Sequence, residues 1–262
     1  MRPIIITTPR TGSTLVCELL FNIAAHRFKY KNNLGEYFTI TTLYKANYQK
    51  VNGLIRSMDG QRSDYDRSKA TYDSDDIKLT ALKLAERSTI LHRIELLRND
   101  PLYMIKLFSS DFTPEVLDFV TKTYDMVYLE RKNKVKQFLS FLGLVQTNTS
   151  HYTKESPRAV LKIIYDTKWA KQFVQLDKLY QDCKHQHPGP VLYYEDFIAA
   201  GADESALIEL LDLSVTGIKN KTIQTVPTPY TTDIEDLVVN KEEWLRDRDD
   251  FLNQLRLNAQ GN

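Results

Sequence analysis

Hydrophobic and polar positions at the start of the chain follow the order of a strand, a tight turn and a helix. The β-branched run at residues 4–6 predicts a short buried strand. Pro9 and Gly12 then mark a turn. Beyond this turn, apolar residues recur at helical spacing at Leu15, Leu19, Leu20, Ile23 and Ala24. The chain therefore opens with a strand–turn–helix unit.

The same alternation continues along the chain. Apolar runs at residues 103–108, 126–131 and 190–194 predict three more strands. Residues 26–38 are expected to form a polar, basic connection with a turn at Gly35, and residues 59–76 a mobile surface loop. Helical spacing predicts six further helices. One has Ile90, Leu91, Ile94 and Leu97 on one face, one begins at Pro114, and one covers residues 134–146. A longer helix has Trp169, Phe173, Leu176 and Tyr180 on one side, and two late helices lie at residues 207–211 and 244–257.

Strands that alternate with helices indicate a largely parallel sheet that helices cover on both faces. We predict an α/β fold in which residues 1–262 form a single domain, with a P-loop-like central parallel sheet flanked by helices. Ligands of such sheets bind at the carboxyl ends of the strands. Arg10, Lys106 and Arg131 lie at or near three of these ends, so we expect them to converge there.

Composition narrows the classes of partner. The formal net charge of the 262-residue chain is +1, so no global field attracts nucleic acid or an anionic membrane, and an anionic ligand needs a local cluster of cations. Cys17 and Cys183 are too few for a disulfide framework or a Cys-based zinc site. No segment has the ~20 apolar residues of a membrane span, and residues 1–8 are too short for a signal peptide. We therefore expect no membrane partner and a cytoplasmic location.

Residues 9–14 have the chemistry of an anion-binding loop. A loop that enters a helix presents backbone N–H groups at the positive end of the helix dipole. Gly12 lets an anion approach the backbone closely. Ser13 and Thr14 add hydroxyl donors, and Arg10 adds a fixed positive charge.

This loop departs from the nucleotide-binding loop G-x-x-x-x-G-K-S/T at two positions. When the two are aligned on Gly12, Thr7 stands where the first glycine belongs and Ser13 stands where the lysine belongs. That lysine reaches the β- and γ-phosphates of a bound nucleotide. Both departures argue against an ATPase or a kinase.

The segment Pro-Arg-Thr-Gly-Ser-Thr-Leu at residues 9–15 resembles the 5′-phosphosulfate loop of sulfotransferases that use 3′-phosphoadenosine 5′-phosphosulfate (PAPS). It is similar above all to the bacterial branch that sulfates trehalose and other carbohydrates. In that branch Pro-Arg-Ser-Gly-Ser-Thr-Leu is followed closely by Cys-Glu, as Cys17 and Glu18 follow here. The resemblance implies that the 5′-phosphosulfate is bound by Arg10, Thr11, Gly12, Ser13 and Thr14.

A second segment, residues 128–140, resembles the 3′-phosphate site of the same family. That site consists of an arginine at a strand end and a serine on the following helix. Ser140 matches the serine, and Arg131 is able to make a bidentate, charge-assisted contact with phosphate. The spacing leaves two candidates: the eight-residue spacing common in the superfamily selects Lys132, whereas the nine-residue spacing of the branch resembled here selects Arg131.

Sulfuryl transfer needs a base that takes the proton of the acceptor, and positive charge that stabilises the leaving phosphate. In the animal cytosolic branch the base is a histidine two residues after a strand lysine. Here Lys106 matches that lysine, but Phe108 stands at the histidine position. The bacterial branch instead has Glu-Tyr-Phe after the first helix, as at residues 36–38. The resemblance therefore implies Glu36 as the general base, with Lys106 and Arg10 as the other catalytic groups.

His92 and His151 are rivals of Glu36 for the role of base. The resemblance implies transfer of a sulfuryl group from PAPS to a hydroxyl of a carbohydrate or another small metabolite, with release of 3′-phosphoadenosine 5′-phosphate (PAP) and without a metal. Two alternatives stay open: a phosphotransferase or kinase with a degenerate loop, and an inactive descendant that binds nucleotide. No nucleic-acid partner is expected, and the sequence carries no signal for the oligomeric state.

Overall fold

Five parallel strands form the central sheet of the computed structural model. The structure describes residues 2–38, 87–99, 102–147, 162–211 and 234–261. The strands are β1 (Pro3–Thr7), β2 (Asn32–Gly35), β3 (Tyr103–Phe108), β4 (Asp125–Glu130) and β5 (Val191–Tyr193). Their order across the sheet is β2-β3-β1-β4-β5, and each neighbouring pair is parallel. The predicted α/β fold with a parallel central sheet is confirmed.

Helices flank this sheet and connect its strands. In chain order they are α1 (Ser13–Phe28), α2 (Arg87–Asn99), α3 (Pro114–Thr123), α4 (Lys134–Thr147), α5 (Thr167–Gln186), α6 (Tyr194–Ala199), α7 (Glu204–Leu210) and α8 (Lys241–Gln260). Pro114 occupies the first turn of α3 as predicted, and the preceding Thr113 side chain accepts a hydrogen bond from the Val116 N–H at 3.3 Å. None of the described helices combines the length and apolar composition needed to cross a bilayer.

Two apolar clusters hold these layers together. The first surrounds β1, whose five residues are all buried because β1 is the central strand. Of the apolar side chains predicted on α1, Leu15, Leu19, Leu20 and Ile23 are buried in this cluster. The second cluster joins α4, α5 and α8 around the ring of Phe138, whose centroid lies 4.6 Å from that of Phe251. It anchors α4 and so fixes the helix that follows β4.

Residues 26–38 differ from the predicted polar connection. Helix α1 continues to Phe28, and residues 32–35 form the edge strand β2. The prediction was wrong because Asn-Asn-Leu-Gly is too short and polar to show alternation, so pairing with β3 defines the strand. The register shifts between Asn33 and Gly35, and Gly35 has a φ of 61°. This bulge at the end of β2 directs the chain toward residue 36.

The helix predicted from residues 90–97 is α2, but one of its predicted core residues is exposed. Leu91 has 43% of its surface exposed, whereas Ile94 and Leu97 are buried. Successive residues of a helix are about 100° apart around its axis, so the buried residues of α2 form one arc centred on Arg93 and Leu97. Leu91 lies outside this arc. The prediction was right at Ile94 and Leu97 and wrong at Leu91, because the buried arc is turned toward Arg93, a charged residue that an apolar pattern leaves out.

Two strand ends lie one residue earlier than predicted. Strand β4 ends at Glu130, so Arg131 belongs to the loop that follows, and β5 ends at Tyr193, so Tyr194 begins α6. The mobile loop predicted at residues 59–76 lies outside the described residues. The same holds for His151, and the described part of the chain does not include the side chain of His92.

Candidate functional site

The loop of residues 9–14 joins the carboxyl end of the central strand β1 to the amino end of α1. Arg10 and Gly12 both have left-handed backbone conformations, with φ of 65° and 80°. The Thr11 hydroxyl lies 2.5 Å from the Thr7 hydroxyl and donates to the Thr8 carbonyl at 3.2 Å. Gly12 is the N-cap of α1 and has no side chain to cap the first-turn N–H groups. The first-turn N–H groups of α1, at the carboxyl edge of the sheet, therefore have no side-chain acceptor at residue 12.

The ring of Tyr194 closes over Gly12. A Cβ atom on Gly12 would overlap the side chain of Tyr194. The guanidinium of Arg131 lies 4.9 Å from the centre of the same ring. Burial raises the pKa of Tyr194, while the charge of Arg131 acts in the opposite direction. Tyr194 thus joins the loop to the end of β4 as a neutral phenol.

We expect Gly12→Ala to lower the free energy of unfolding by more than the strain of a left-handed alanine alone, which is about 1–3 kcal/mol. The reason is that the new methyl group has to displace the Tyr194 ring. Gly261→Ala is the matched control, because Gly261 has nearly the same φ, of 77°, and its added Cβ would meet its nearest neighbour only at an ordinary contact distance of 3.4 Å. Urea unfolding of both variants measures the difference, and equal losses would show that the Tyr194 contact is unimportant.

Arg10, Ser140 and Arg131 form a second group of polar side chains beside this loop. Arg10 Nε donates to Ser140 Oγ at 3.0 Å, and Arg131 Nη1 donates to the Arg10 carbonyl at 3.2 Å. Ser140 lies on α4, so the loop, the end of β4 and α4 meet here. The structure therefore brings Arg10 together with Arg131 and Ser140, which lie 121 and 130 positions later in the sequence.

Arg131 and Lys132, the two candidates for the 3′-phosphate site, point in different directions. Arg131 contacts the loop, and its side chain is only 18% exposed. Lys132 is 52% exposed and forms an ion pair with Asp196 at 2.5 Å. Its ammonium also lies 5.2 Å from the ring centre of Tyr193. Between the two, only Arg131 contacts the loop of residues 9–14 in the described structure.

Glu195 fixes the backbone that follows β4. Its carboxylate accepts hydrogen bonds from the N–H groups of Lys132 and Asn133, at 2.9 and 3.1 Å. The parallel pairing of β4 and β5 brings Glu195, in the first turn of α6, beside the start of α4. Glu195 thereby fixes the backbone immediately after Arg131.

Glu36 and Lys106 form an ion pair on the other side of the loop. Lys106 Nζ lies 3.2 Å from Glu36 Oε1 and donates to Thr14 Oγ1 at 3.4 Å. The side chains of Lys106 and Glu36 are 4% and 13% exposed. The ring centre of Phe108, at the position of the missing histidine, lies 5.1 Å from Lys106 Nζ. Lys106 thus joins the amino end of α1 to the carboxylate that follows β2.

Cys17 lies beside this ion pair but is not a nucleophile. Burial raises the pKa of its thiol to about 11, although the charge of Lys106 opposes the shift. Its Sγ donates to Asn33 Oδ1 at 3.6 Å, and the same oxygen accepts the Gly35 N–H at 2.9 Å. Cys17 therefore stays a neutral thiol that helps to hold the bulge before Glu36.

Gln137 is a further residue of the site that the sequence did not indicate. Its amide nitrogen donates to Thr8 Oγ1 at 2.7 Å and to the Pro9 carbonyl at 2.8 Å, and the residue is fully buried. The available signal was a lone glutamine one turn before Ser140 in an otherwise apolar helical stretch. Among the described residues, no three His, Cys, Asp or Glu side chains form a group that could hold a metal ion.

No family model matches this sequence, and no curated protein matches it. Among solved structures, the chain is similar to a retinol dehydratase in complex with androsterone and inactive cofactor PAP, with 16% sequence identity and a TM-score of 0.41. The match covers 81% of this chain and 60% of that one, so this chain spans less than two thirds of that protein's length.

Proposed function

We propose that this protein is a PAPS-dependent sulfotransferase that acts on a hydroxyl group of a carbohydrate or another small metabolite. The observation that carries the proposal is the arrangement around the loop of residues 9–14. Lys106 and Glu36 lie on one side of it, and Arg131 and Ser140 lie on the other. A donor with a 5′-phosphosulfate and a 3′-phosphate needs two cationic sites of this kind.

The chemistry of these residues fits such a donor. On the 5′ side, Gly12 leaves the N–H groups at the start of α1 without an N-cap side chain, and no acidic residue occupies the first turn. Lys106 adds a buried positive charge next to Thr14. On the 3′ side, Arg131 offers a planar guanidinium held by Tyr194. Arg10 contributes to both sides, since it belongs to the loop and contacts Ser140.

Each side chain has a distinct role in the proposed reaction. PAPS supplies the sulfuryl group and leaves as PAP. Glu36 accepts the proton of the acceptor hydroxyl. At the same time the hydroxyl oxygen forms a bond to sulfur, and the bond between sulfur and the bridging oxygen of PAPS breaks. Lys106 and Arg10 stabilise the negative charge that develops on the departing phosphate. The 3.2 Å contact between Lys106 and Glu36 supports this division, because it places proton acceptor and cation side by side.

The geometry of Thr7 argues against the phosphotransferase alternative. Thr7 occupies the position of the first glycine in a nucleotide-binding loop, where the backbone has to curve around the β-phosphate. Here Thr7 is the last residue of β1, is fully buried, and donates to the Leu129 carbonyl at 3.0 Å. With Ser13 in place of the lysine, the loop offers fewer contacts to a triphosphate than that class uses.

Transfer of labelled sulfate from PAPS to a panel of sugars and small hydroxylated metabolites tests the proposal. We expect a labelled product with at least one acceptor, formed without added metal ion. A protein that binds PAP but labels no acceptor would instead support the inactive nucleotide-binding descendant. Transfer of the γ-phosphate of ATP to an acceptor would support the phosphotransferase.

A further inference from the structure

Glu36 lies in a part of the chain that the sheet does not hold. Strand β2 ends at Gly35, and residues 36–38 follow as a bend and turn at its edge. The Tyr37 N–H bonds only to the nearby Gly35 carbonyl, at 2.8 Å. A general base has to be held within a fraction of an ångström of its proton donor. The ion pair with Lys106 holds the side chain of Glu36, and the backbone of residues 36–38 needs a contact of its own.

Arg93 of α2 makes that contact through Tyr37. Arg93 Nη1 donates to the Tyr37 carbonyl at 2.9 Å, and the Tyr37 hydroxyl donates back to the Arg93 carbonyl at 3.3 Å. The guanidinium also lies 5.6 Å from the centre of the Tyr37 ring. Both residues are buried, at 3% and 0% exposure. The pair forms a reciprocal link between α2 and the residue next to Glu36.

Arg93 is also within electrostatic reach of Asp111, in the turn that follows the strand of Lys106. Burial lowers the pKa of Arg93, and the neighbouring Tyr37 and Asp111 act in the opposite direction. Asp111 accepts the Phe108 N–H at 3.0 Å, at the end of the strand that contains Lys106. Arg93 therefore bonds to the residue next to Glu36, and its charged form is favoured by a carboxylate at the end of the strand of Lys106.

A buried arginine is a poor device for stability alone. Removing a guanidinium from water is expensive, and a buried ion pair is often no more stabilising than apolar residues of similar volume in its place. In the described structure, Arg93 Nε has no hydrogen-bond partner, which adds to the unfavourable terms. A positioning role explains why the chain has an arginine at the centre of the buried face of α2.

We propose that Arg93 is a positioning residue that fixes Glu36 against Lys106 by holding Tyr37. This inference rests on the proposed function and adds a residue that touches neither donor nor acceptor. It predicts that loss of the guanidinium lowers kcat through Glu36, while the sites around Arg131 and the loop of residues 9–14 keep their affinity for PAP.

The test compares Arg93→Met in the wild-type protein and in the Glu36→Gln variant. Methionine fills similar volume without charge, and Arg98→Met, exposed on the same helix, is the control. We expect Arg93→Met to lower kcat by about 10²-fold in the wild-type background, with KM for PAPS and the affinity for PAP unchanged. In the Glu36→Gln background we expect no further loss, because both changes act through the same group.

The contrary outcomes are distinct. Full activity of Arg93→Met, or an equal loss in both backgrounds, would overturn the positioning role alone. A wild-type protein that transfers no sulfuryl group would overturn the proposed function and the inference with it. If Arg93→Met does not fold, Tyr37→Phe carries the same comparison, because it removes the hydroxyl that donates to the Arg93 carbonyl. For Tyr37→Phe we expect kcat to fall by about fivefold in the wild-type background. The same loss of about fivefold in the Glu36→Gln background would contradict the positioning role of Arg93.

Discussion

Replacing Glu36 with glutamine is expected to lower kcat for sulfuryl transfer by about 10²–10⁴-fold, the usual contribution of a general base. Glutamine has nearly the same shape but cannot take the proton of the acceptor. The affinity for PAP should be unchanged or higher, because Lys106 loses its carboxylate partner at 3.2 Å while the loop and Arg131 stay in place. Steady-state kinetics and calorimetric titration with PAP measure the two effects separately.

Glu209→Gln is the matched control for this change. Glu209 lies on α7 with an exposed side chain, and the same substitution there is expected to leave kcat and PAP affinity as in the wild type. If Glu36→Gln transferred sulfate at the wild-type rate, the proton would have to go to another group. His151 and His92 would then be the residues to replace.

Arg131→Ala is expected to weaken PAP binding by about 10–10²-fold, the effect of losing one or two charge-assisted hydrogen bonds to phosphate. Adenosine 5′-phosphate lacks the 3′-phosphate, so its affinity should change little. Lys132→Ala, the neighbouring control, should change neither, because Lys132 is half exposed and pairs with Asp196. Titration of the three proteins with the two nucleotides makes the comparison.

Two results would contradict this assignment. An equal loss of affinity for both nucleotides in Arg131→Ala would mean that the arginine acts by holding Tyr194 or the Arg10 carbonyl. A loss of PAP affinity in Lys132→Ala alone would select the eight-residue spacing. Thermal unfolding of each variant shows whether the loop has kept its structure.

Much of the fold followed from local pattern. The apolar runs of β1, β3 and β4 are recognisable because strands inside a parallel sheet are buried on both faces, and the short edge strand β5 is recognisable from its Val-Leu-Tyr run. Strand β2 was missed because it is an edge strand of four residues whose partner β3 lies about 70 positions away in sequence. The buried face of α2 was wrong at Leu91 because the buried arc is turned toward Arg93, a charged residue.

The site was predictable where one short segment holds its chemistry, and unpredictable where the fold brings distant segments together. The loop of residues 9–14 was recognisable from its own residues. Gln137 and Tyr194 were not, because their contacts with Pro9 and Gly12 depend on the placement of α4 and α6. The choice between Arg131 and Lys132 depended on side-chain direction, which spacing along the chain does not determine.

Titration of the wild-type protein with PAP, and separately with ATP and magnesium, tests the central claim most directly. Two cationic groups flank the loop, and one of them, at Arg131 and Ser140, is suited to a 3′-phosphate that ATP lacks. We predict saturable binding of PAP and no binding of ATP with magnesium at the same concentrations. Binding of ATP with magnesium in the absence of PAP binding would contradict the claim.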